Sequence, residues 1–200
     1  DRSRHIEGWP WWRGNRGQRQ AAKGNVVENT LIESCGQQFF GGVGIWVGMA
    51  QATKISHNEI RKLPYTGVSV GWLWDDRPSP CQENIVEFNH IHNVMQVLSD
   101  GGGIYTLGRQ PGTIIRGNII HDVPRSTGRS ISKGIHVDQG SAGILFKENV
   151  IFDVGDIPIH FHQSKVNYVE KNVLTVSSDH SPFGYRKTSK IDIKMSRNII

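Results

Sequence analysis

Apolar and polar positions along this chain recur in a frame about thirty residues long. An Asn stands at positions 29, 58, 89, 118, 149, 172 and 198, with successive gaps of 29, 31, 29, 31, 23 and 26. Three residues before each lies Val26, Ile55, Val86, Ile115, Phe146, Val169 or Met195. Two residues after each lies Leu31, Ile60, Ile91, Ile120, Ile151, Leu174 or Ile200. Self-similarity at this period marks a stacked repeat architecture. The segments are short, their apolar positions alternate and β-branched types are frequent, so they read as strands. The i, i+3, i+4 spacing of a helical repeat is not found. Short strands that pair in parallel from coil to coil stack at about 4.8 Å per coil. An Asn at one point of every coil fits such a stack. Its amide can bond the same Asn one layer away, and Asn tolerates the left-handed turn between strands. The expected fold is all-β, a parallel β-helix of about six to seven coils, right-handed by the rule for parallel crossovers.

Each unit carries a second signature, a small residue followed by a short alternating strand. These are Gly44-Ile45-Trp46-Val47, Gly67-Val68-Ser69-Val70, Gly103-Ile104-Tyr105-Thr106, Gly134-Ile135-His136-Val137 and Pro158-Ile159-His160-Phe161. Side chains alternate along a strand. If Ile45, Val68, Ile104, Ile135 and Ile159 face inward, then Trp46, Ser69, Tyr105, His136 and His160 form an outward column. Two residues on, Gly48, Gly71, Leu107, Asp138 and His162 form another. An ordinary solvated face would carry Lys, Glu and Thr, whereas aromatics, histidines and an Asp mark this one as the candidate binding surface. Two longer excursions, 72–82 and 124–133, adjoin these strands. Long loops on a rigid solenoid sit on its functional side.

The sharpest constellation is Ser99-Asp100-Gly101-Gly102-Gly103. Three consecutive glycines make either a tight corner or a stretch of backbone that a bulky ligand approaches. One coil later comes His136-Val137-Asp138-Gln139-Gly140-Ser141. Two carboxylates across a groove are the tools of glycosidic bond cleavage, one as acid and one as base or nucleophile; each Asp could instead cap a turn. Along a straight strand the offset between Asp100 and Asp138 is roughly 23 Å, while a working pair needs about 5–10 Å. Either the glycine corner bends Asp100 inward, or the pair brackets a cleft without acting together. Trp46, Trp72 and Trp74 can stack on sugar rings or pack under the loops. Tyr105, His136, His160 and His162 would line subsites. Arg109 could bind a carboxylate, and with Lys133 it keeps open a lyase that cuts an acidic glycan by elimination. A non-catalytic glycan-binding solenoid is the third reading. His160 and His162 could join a zinc set, but sugar hydroxyls suit them better, so no metal and no cofactor is expected. His90 and His92 are expected to be exposed beside the Asn ladder.

Composition adds little. Lys+Arg 23 against Asp+Glu 18 leaves +5, compatible with an acidic ligand without implying one. Residues 1–23 are Arg-rich, with Trp9, Trp11 and Trp12, and form an atypical segment ahead of the coils at 24–200. Nucleic acid is not the expected partner, because no binding motif accompanies them. No apolar run reaches membrane length. The chain opens on Asp1 and stops inside a repeat unit, so it is expected to be a fragment truncated at both ends. Cys35 and Cys81 follow no metal spacing.

The chain resembles bacterial right-handed parallel β-helix proteins grouped with glycoside hydrolase family 141. The resemblance rests on Gly42–Gly48, His57-Asn58-Glu59-Ile60, Pro64–Trp72, Asn89–His92, Ser99–Gly108 and Asp138-Gln139-Gly140-Ser141, and covers most of residues 24–175. It implies a secreted or periplasmic enzyme acting on plant cell-wall polysaccharide, with fucosidase and xylanase activities in the family. Asp100 and Asp138 match that family's proposed catalytic aspartates. Gln139 stands where relatives often carry Glu, which puts substrate and pH behaviour in question. The resemblance leaves the oligomeric state open.

Overall fold

The computed structural model describes residues 21–125, 128, 130–176 and 181–200. Trp9, Trp11, Trp12 and all but 21–23 of the expected N-terminal segment lie outside them. Three parallel sheets run the length of the described chain, with seven, six and six strands. The first contains Val26–Glu28, Lys54–Ser56, Ile85–Glu87, Ile114–Arg116, Leu145–Lys147, Asn167–Glu170 and Ile193–Ser196. The second contains Leu31–Glu33, Glu59–Arg61, His90–His92, Ile119–His121, Val150–Ile151 and Val173–Leu174. The third contains Ile45–Val47, Val68–Val70, Gly102–Thr106, Lys133–Val137, Ile157–His162 and Phe183–Arg186. Every strand pairs with its counterpart one coil away, which is the expected parallel solenoid.

Asn58, Asn89, Asn118, Asn149, Asn172 and Asn198 stack at the corner between the first and second sheets. Each Asn Nδ2 donates to Oδ1 of the next Asn at 2.9–3.0 Å. The backbone N–H of each rung donates to the same Oδ1. The other amide hydrogen goes to a carbonyl of the preceding coil, as from Asn118 to Val86 O at 2.9 Å. Every buried polar atom of the rung is thereby satisfied.

The first rung departs from the expected one. Val27, not Val26, pairs with Ile55, and Ile32, not Leu31, pairs with Ile60. The rung below Asn58 is Thr30, whose N–H donates to Asn58 Oδ1 at 3.1 Å. Asn29 falls one residue short. The left-handed residue is likewise the one before each rung, not the rung itself. Asn29, His57, Phe88, Gly117, Glu148, Lys171 and Arg197 have φ between 51° and 62°. The two properties that recommend Asn for this corner are thus divided between neighbouring positions. The corner entering the first sheet carries a mixed ladder that the Asn period does not reveal. There Thr53 N–H donates to Asn84 Oδ1, Asn84 N–H to Thr113 Oγ1, and Ile144 N–H to Asn167 Oδ1.

Inside the coils, Ile55, Val86, Ile115, Phe146 and Val169 face Ile60, Ile91, Ile120, Ile151 and Leu174, all fully buried. Each such side chain contributes about 1.5–3 kcal/mol through burial. These isoleucines also explain the small residue that opens each strand of the third sheet. A Cβ on Gly67 would lie 2.7 Å from Ile91 Cγ2, and one on Gly103 or Gly134 would lie 2.6 Å from Ile120 or Ile151 Cγ2. The same packing decides the three-glycine stretch. A Cβ on Gly101 would meet Thr66 Oγ1 at 2.4 Å, and one on Gly102 would meet Lys133 O at 2.8 Å. The chain's own atoms fill those places, so the glycines serve a corner rather than a ligand. Cys35 is exposed, Cys81 is buried and both are free; burial pushes the Cys81 thiol up to about 12. Among the described residues, no helix is long and apolar enough to cross a membrane.

Candidate active site

The outer face of the first sheet sets the column Lys54, Ile85, Ile114, Leu145 and Tyr168 beside charge pairs. Lys54 and Arg116 flank Glu87 at 3.4 and 2.7 Å, each one coil away. The third sheet differs. Its register aligns Trp46, Ser69, Tyr105, His136, His160 and Gly184 in one column, as the alternation predicts. His162 pairs with Arg186 in the column two residues on.

Depth within that face is not as expected. His136 is 1% and His160 7% exposed, so both rings lie beneath the surface rather than on it. The rings of Tyr105 and His136 pack edge to face at 5.1 Å, and those of His136 and His160 at 5.4 Å. Burial, then the nearby Lys133 ammonium, holds both imidazoles below their ordinary range, His160 at about 4. Both rings are neutral near pH 7. His160 Nδ1 is buried without a hydrogen-bond partner among the described residues.

Asp138 is the centre of this face. It is 8% exposed, and both of its oxygens are held. Tyr105 OH donates to Oδ2 at 2.5 Å, His162 Nδ1 lies 2.7 Å from Oδ1, and His136 Nε2 lies 3.7 Å from Oδ1. Burial, then the Asp138 charge, pushes the Tyr105 phenol far up, so it remains a donor. On the other edge of His136, Lys133 Nζ lies 3.5 Å from Nδ1. An ammonium has hydrogens and no acceptor, so Nδ1 must accept and Nε2 carries the ring hydrogen, facing Asp138.

Lys133 closes the offset that separates the two aspartates along the chain. Its Nζ also reaches Asp100 Oδ1 at 3.4 Å, and Ser130 Oγ donates to the same oxygen at 2.9 Å. Asp100 itself takes the left-handed conformation, φ 64°, with its carbonyl bonded by Tyr65 OH at 2.9 Å. Asp100 and Asp138 therefore stand on one face, joined through Lys133 and His136. Burial alone would raise the Asp100 carboxyl, but Ser130 and Lys133 outweigh it and hold the group below the usual carboxylate range. Lys133 is 1% exposed, and burial lowers its ammonium despite the attraction of Asp100. Ser130 and Tyr65 are absent from the sequence-level candidates, and Lys133 enters there only as a charge neutraliser. Buried Lys is rare unless paired, but burial is not visible in the sequence.

Both excursions flank this sheet. A Cβ on Gly140 would lie 2.2 Å from Asp75 O, and one on Gly108 would lie 2.9 Å from Leu73 O, so loop 72–82 lies against the turns after the Tyr105 and His136 strands. Of the excursion 124–133, Ser130 stands at the opposite end, and Asp156 accepts from Ser132 N–H at 2.7 Å and lies 3.6 Å from Arg125. Trp46 and Trp72 are exposed and meet edge to face at 5.3 Å, as do Trp72 and Trp74. Arg109 stands apart from the aspartates. It lines a shallow hollow with Asp76, Lys165 and Tyr168. His136, Asp138 and His162 have ligand atoms within 4.8 Å of one another. With Lys133 bonded at Nδ1, His136 turns its Nε2 hydrogen rather than a lone pair toward Asp138, which makes the set better suited to hydrogen bonding than to metal.

The family described as right-handed β-helix region matches residues 13–151 and 43–200. Among solved structures, a chain titled "Glycoside hydrolase" superposes with a TM-score of 0.65 at 20% sequence identity. The match covers 88% of this chain and 27% of that one. At that identity the likeness carries the fold alone. No curated protein matches the chain.

Proposed function

The chain belongs to the right-handed β-helix family, and we propose that it hydrolyses glycosidic bonds in a polysaccharide with Asp138 and Asp100. One observation carries the reading: two carboxylates on one outward face, linked through Lys133 and His136. Asp138, with donors on both oxygens, is the base or nucleophile. Asp100, the more exposed of the two, is the proton donor. The exposed Trp46 and Trp72 offer apolar ring faces to sugars further along the groove. A polymeric substrate of plant cell-wall type does not enter cells, so the protein acts in the periplasm or outside the cell.

The roles fix a pH dependence. Asp100 is held ionised near neutrality by Ser130 and Lys133, so it gains its proton only as pH falls. Hydrolysis should rise on the acid side and fade above it. The test is Asp100→Asn and Asp138→Asn in the full-length protein on fucosylated and xylan substrates. Both variants should lose turnover, and activity surviving in both removes the assignment.

Elimination is the second reading, favoured by one feature. Both the neutral imidazoles and the lowered Lys133 ammonium offer base or charge neutralisation without a pre-protonated acid. A lyase would release an unsaturated sugar with new ultraviolet absorbance and would keep its rate above neutral pH. Arg109 contributes less to that reading, since it lines a different hollow.

A further inference from the structure

The outer face of the second sheet carries a stack of imidazoles that the proposed reaction does not use. His90, His92 and His121 stand on neighbouring strands, with His92 and His121 in register. Their ring centroids lie 4.4, 4.9 and 5.0 Å apart, and Phe152 closes the stack 4.6 Å from His121. Glu59 lies in register with His90 one coil before.

Hydrogen bonding sets the state of each ring. Asp122 Oδ2 lies 2.8 Å from His121 Nδ1. An ionised carboxylate only accepts, so Nδ1 carries the hydrogen and Nε2 keeps its lone pair. His92 Nδ1 lies 2.8 Å from Asn93 Oδ1 in the same way. Ligating histidines are held by such outer partners at metal sites. The Nε2 atoms converge, with His90 Nε2–H donating to His121 in the stack, a hydrogen that must move to His90 Nδ1 when an ion binds. His121 Nε2 lies 2.7 Å from His90 Nε2, and His92 Nε2 lies 3.4 Å from Glu59 Oε1. With its hydrogen on Nδ1, the neutral His92 ring turns a lone pair toward the Glu59 carboxylate, a contact that either a ring proton or a bound metal ion satisfies.

We propose that His90, His92 and His121, through their Nε2 atoms, and Glu59, through its carboxylate, form a surface site for a divalent transition ion of the zinc type. One ligand atom from each of Glu59, His90 and His92 lies within 4.8 Å of the others, as holds for His92, His121 and Asp122. Imidazole with a single carboxylate suits zinc, nickel or copper rather than calcium or magnesium. Arg61 Nη1 donates to that same Glu59 Oε1 at 2.5 Å and its Nε to Glu33 at 3.2 Å, so an ion takes the second Glu59 oxygen or draws Arg61 over to Glu33. The rings of His92 and His121 are stacked within 8° of parallel, so their in-plane lone pairs do not meet at one point. Binding turns one ring out of the stack. The site is on a different sheet from Asp138 and is independent of the proposed reaction.

The test uses the full chain, stripped of metal by a chelator and titrated calorimetrically with Zn2+ at about neutral pH, where free imidazole competes least with protons. Binding should weaken at least about tenfold in His92→Gln and in His121→Gln, and about tenfold in Asp122→Ala, which loosens the His121 ring. Asp138→Asn should leave it unchanged. The Zn2+-dependent rise in melting temperature should vanish with the same histidines. Binding indifferent to His92→Gln and His121→Gln overturns the site, as does binding lost in Asp138→Asn alone. Should either histidine variant fail to fold by circular dichroism, Glu59→Gln and the exposed His90→Gln read the same question.

Discussion

At the corner between the first and second sheets, Asn58 through Asn198 repeat one side chain and one bonding pattern coil after coil. On the outer face of the third sheet the register sets Trp46, Ser69, Tyr105, His136 and His160 in one column, where only His136 and His160 repeat a residue type from one coil to the next. The contrast has a physical source. A primary amide is donor and acceptor at once, so identical residues satisfy one another when stacked. A carboxylate only accepts, and two stacked at short range repel. A polar face built around Asp138 must therefore draw its partners from other residue types, Tyr105 from the coil before and His162 from the coil after. Repetition holds the cylinder together, and departure from repetition is where chemistry can be placed.

The comparison can be broken most directly at Asp138. Asp138→Asn keeps an oxygen for Tyr105 and removes the charge. Turnover should fall by about a thousandfold, about 4 kcal/mol in the barrier, with little change in the urea midpoint. A loss of stability without loss of rate would make the third sheet as structural as the Asn corner.

Asn118→Ala is the reverse experiment. It takes the bonds from the side chain and backbone of Asn89, and the bonds to Val86 O and Asn149 Oδ1, out of a fully buried rung. Orphaned polar groups at that depth should cost about 3 kcal/mol, read as a lowered urea midpoint. Activity per folded molecule should persist, and its loss would join the two regions that the comparison separates.

Acid should act on one region and not the other. His160 is neutral in the fold down to about 4, whereas an unfolded His takes its proton near pH 6.5. Unfolding therefore takes up a proton in that window, and stability falls as pH drops from about 6.5 to 4. His136 acts in the same direction. Urea midpoints across this range should slope less in His160→Gln than in the parent. An amide does not titrate, so Asn118→Ala should lower the curve without changing its slope.

The corner was the more legible region, and its one misreading is instructive. Residues 26–32 read Val-Val-Glu-Asn-Thr-Leu-Ile, with apolar pairs on both sides, so a slip of one residue still puts an apolar side chain inward. Pattern alone cannot choose between the two registers; pairing does. The third sheet yielded its direction from period two but not its depth, which depends on neighbouring rings and loops. That is why His136 and His160 were expected at the surface and lie below it. Lys133 was hidden because its reach to Asp100 spans a coil, and spacing along the chain measures strands, not a long side chain laid across them.

That misreading supplies the smallest and most discriminating prediction. Asn29 occupies the left-handed position, φ 51°, and Thr30 the rung. Glycine is at ease at positive φ, so Asn29→Gly should shift stability by less than about 1 kcal/mol in either direction. Asn58→Gly removes the acceptor for Thr30 N–H and the bonds to Asn89 Oδ1 and Val27 O, and should cost several times as much. If the two variants lose stability equally, Asn29 is a rung after all and the pairing of Val27 with Ile55 is displaced by one residue. If only Asn58→Gly suffers, adjacent positions in one turn have divided the work of a single residue type, one bending the chain and the other bonding it.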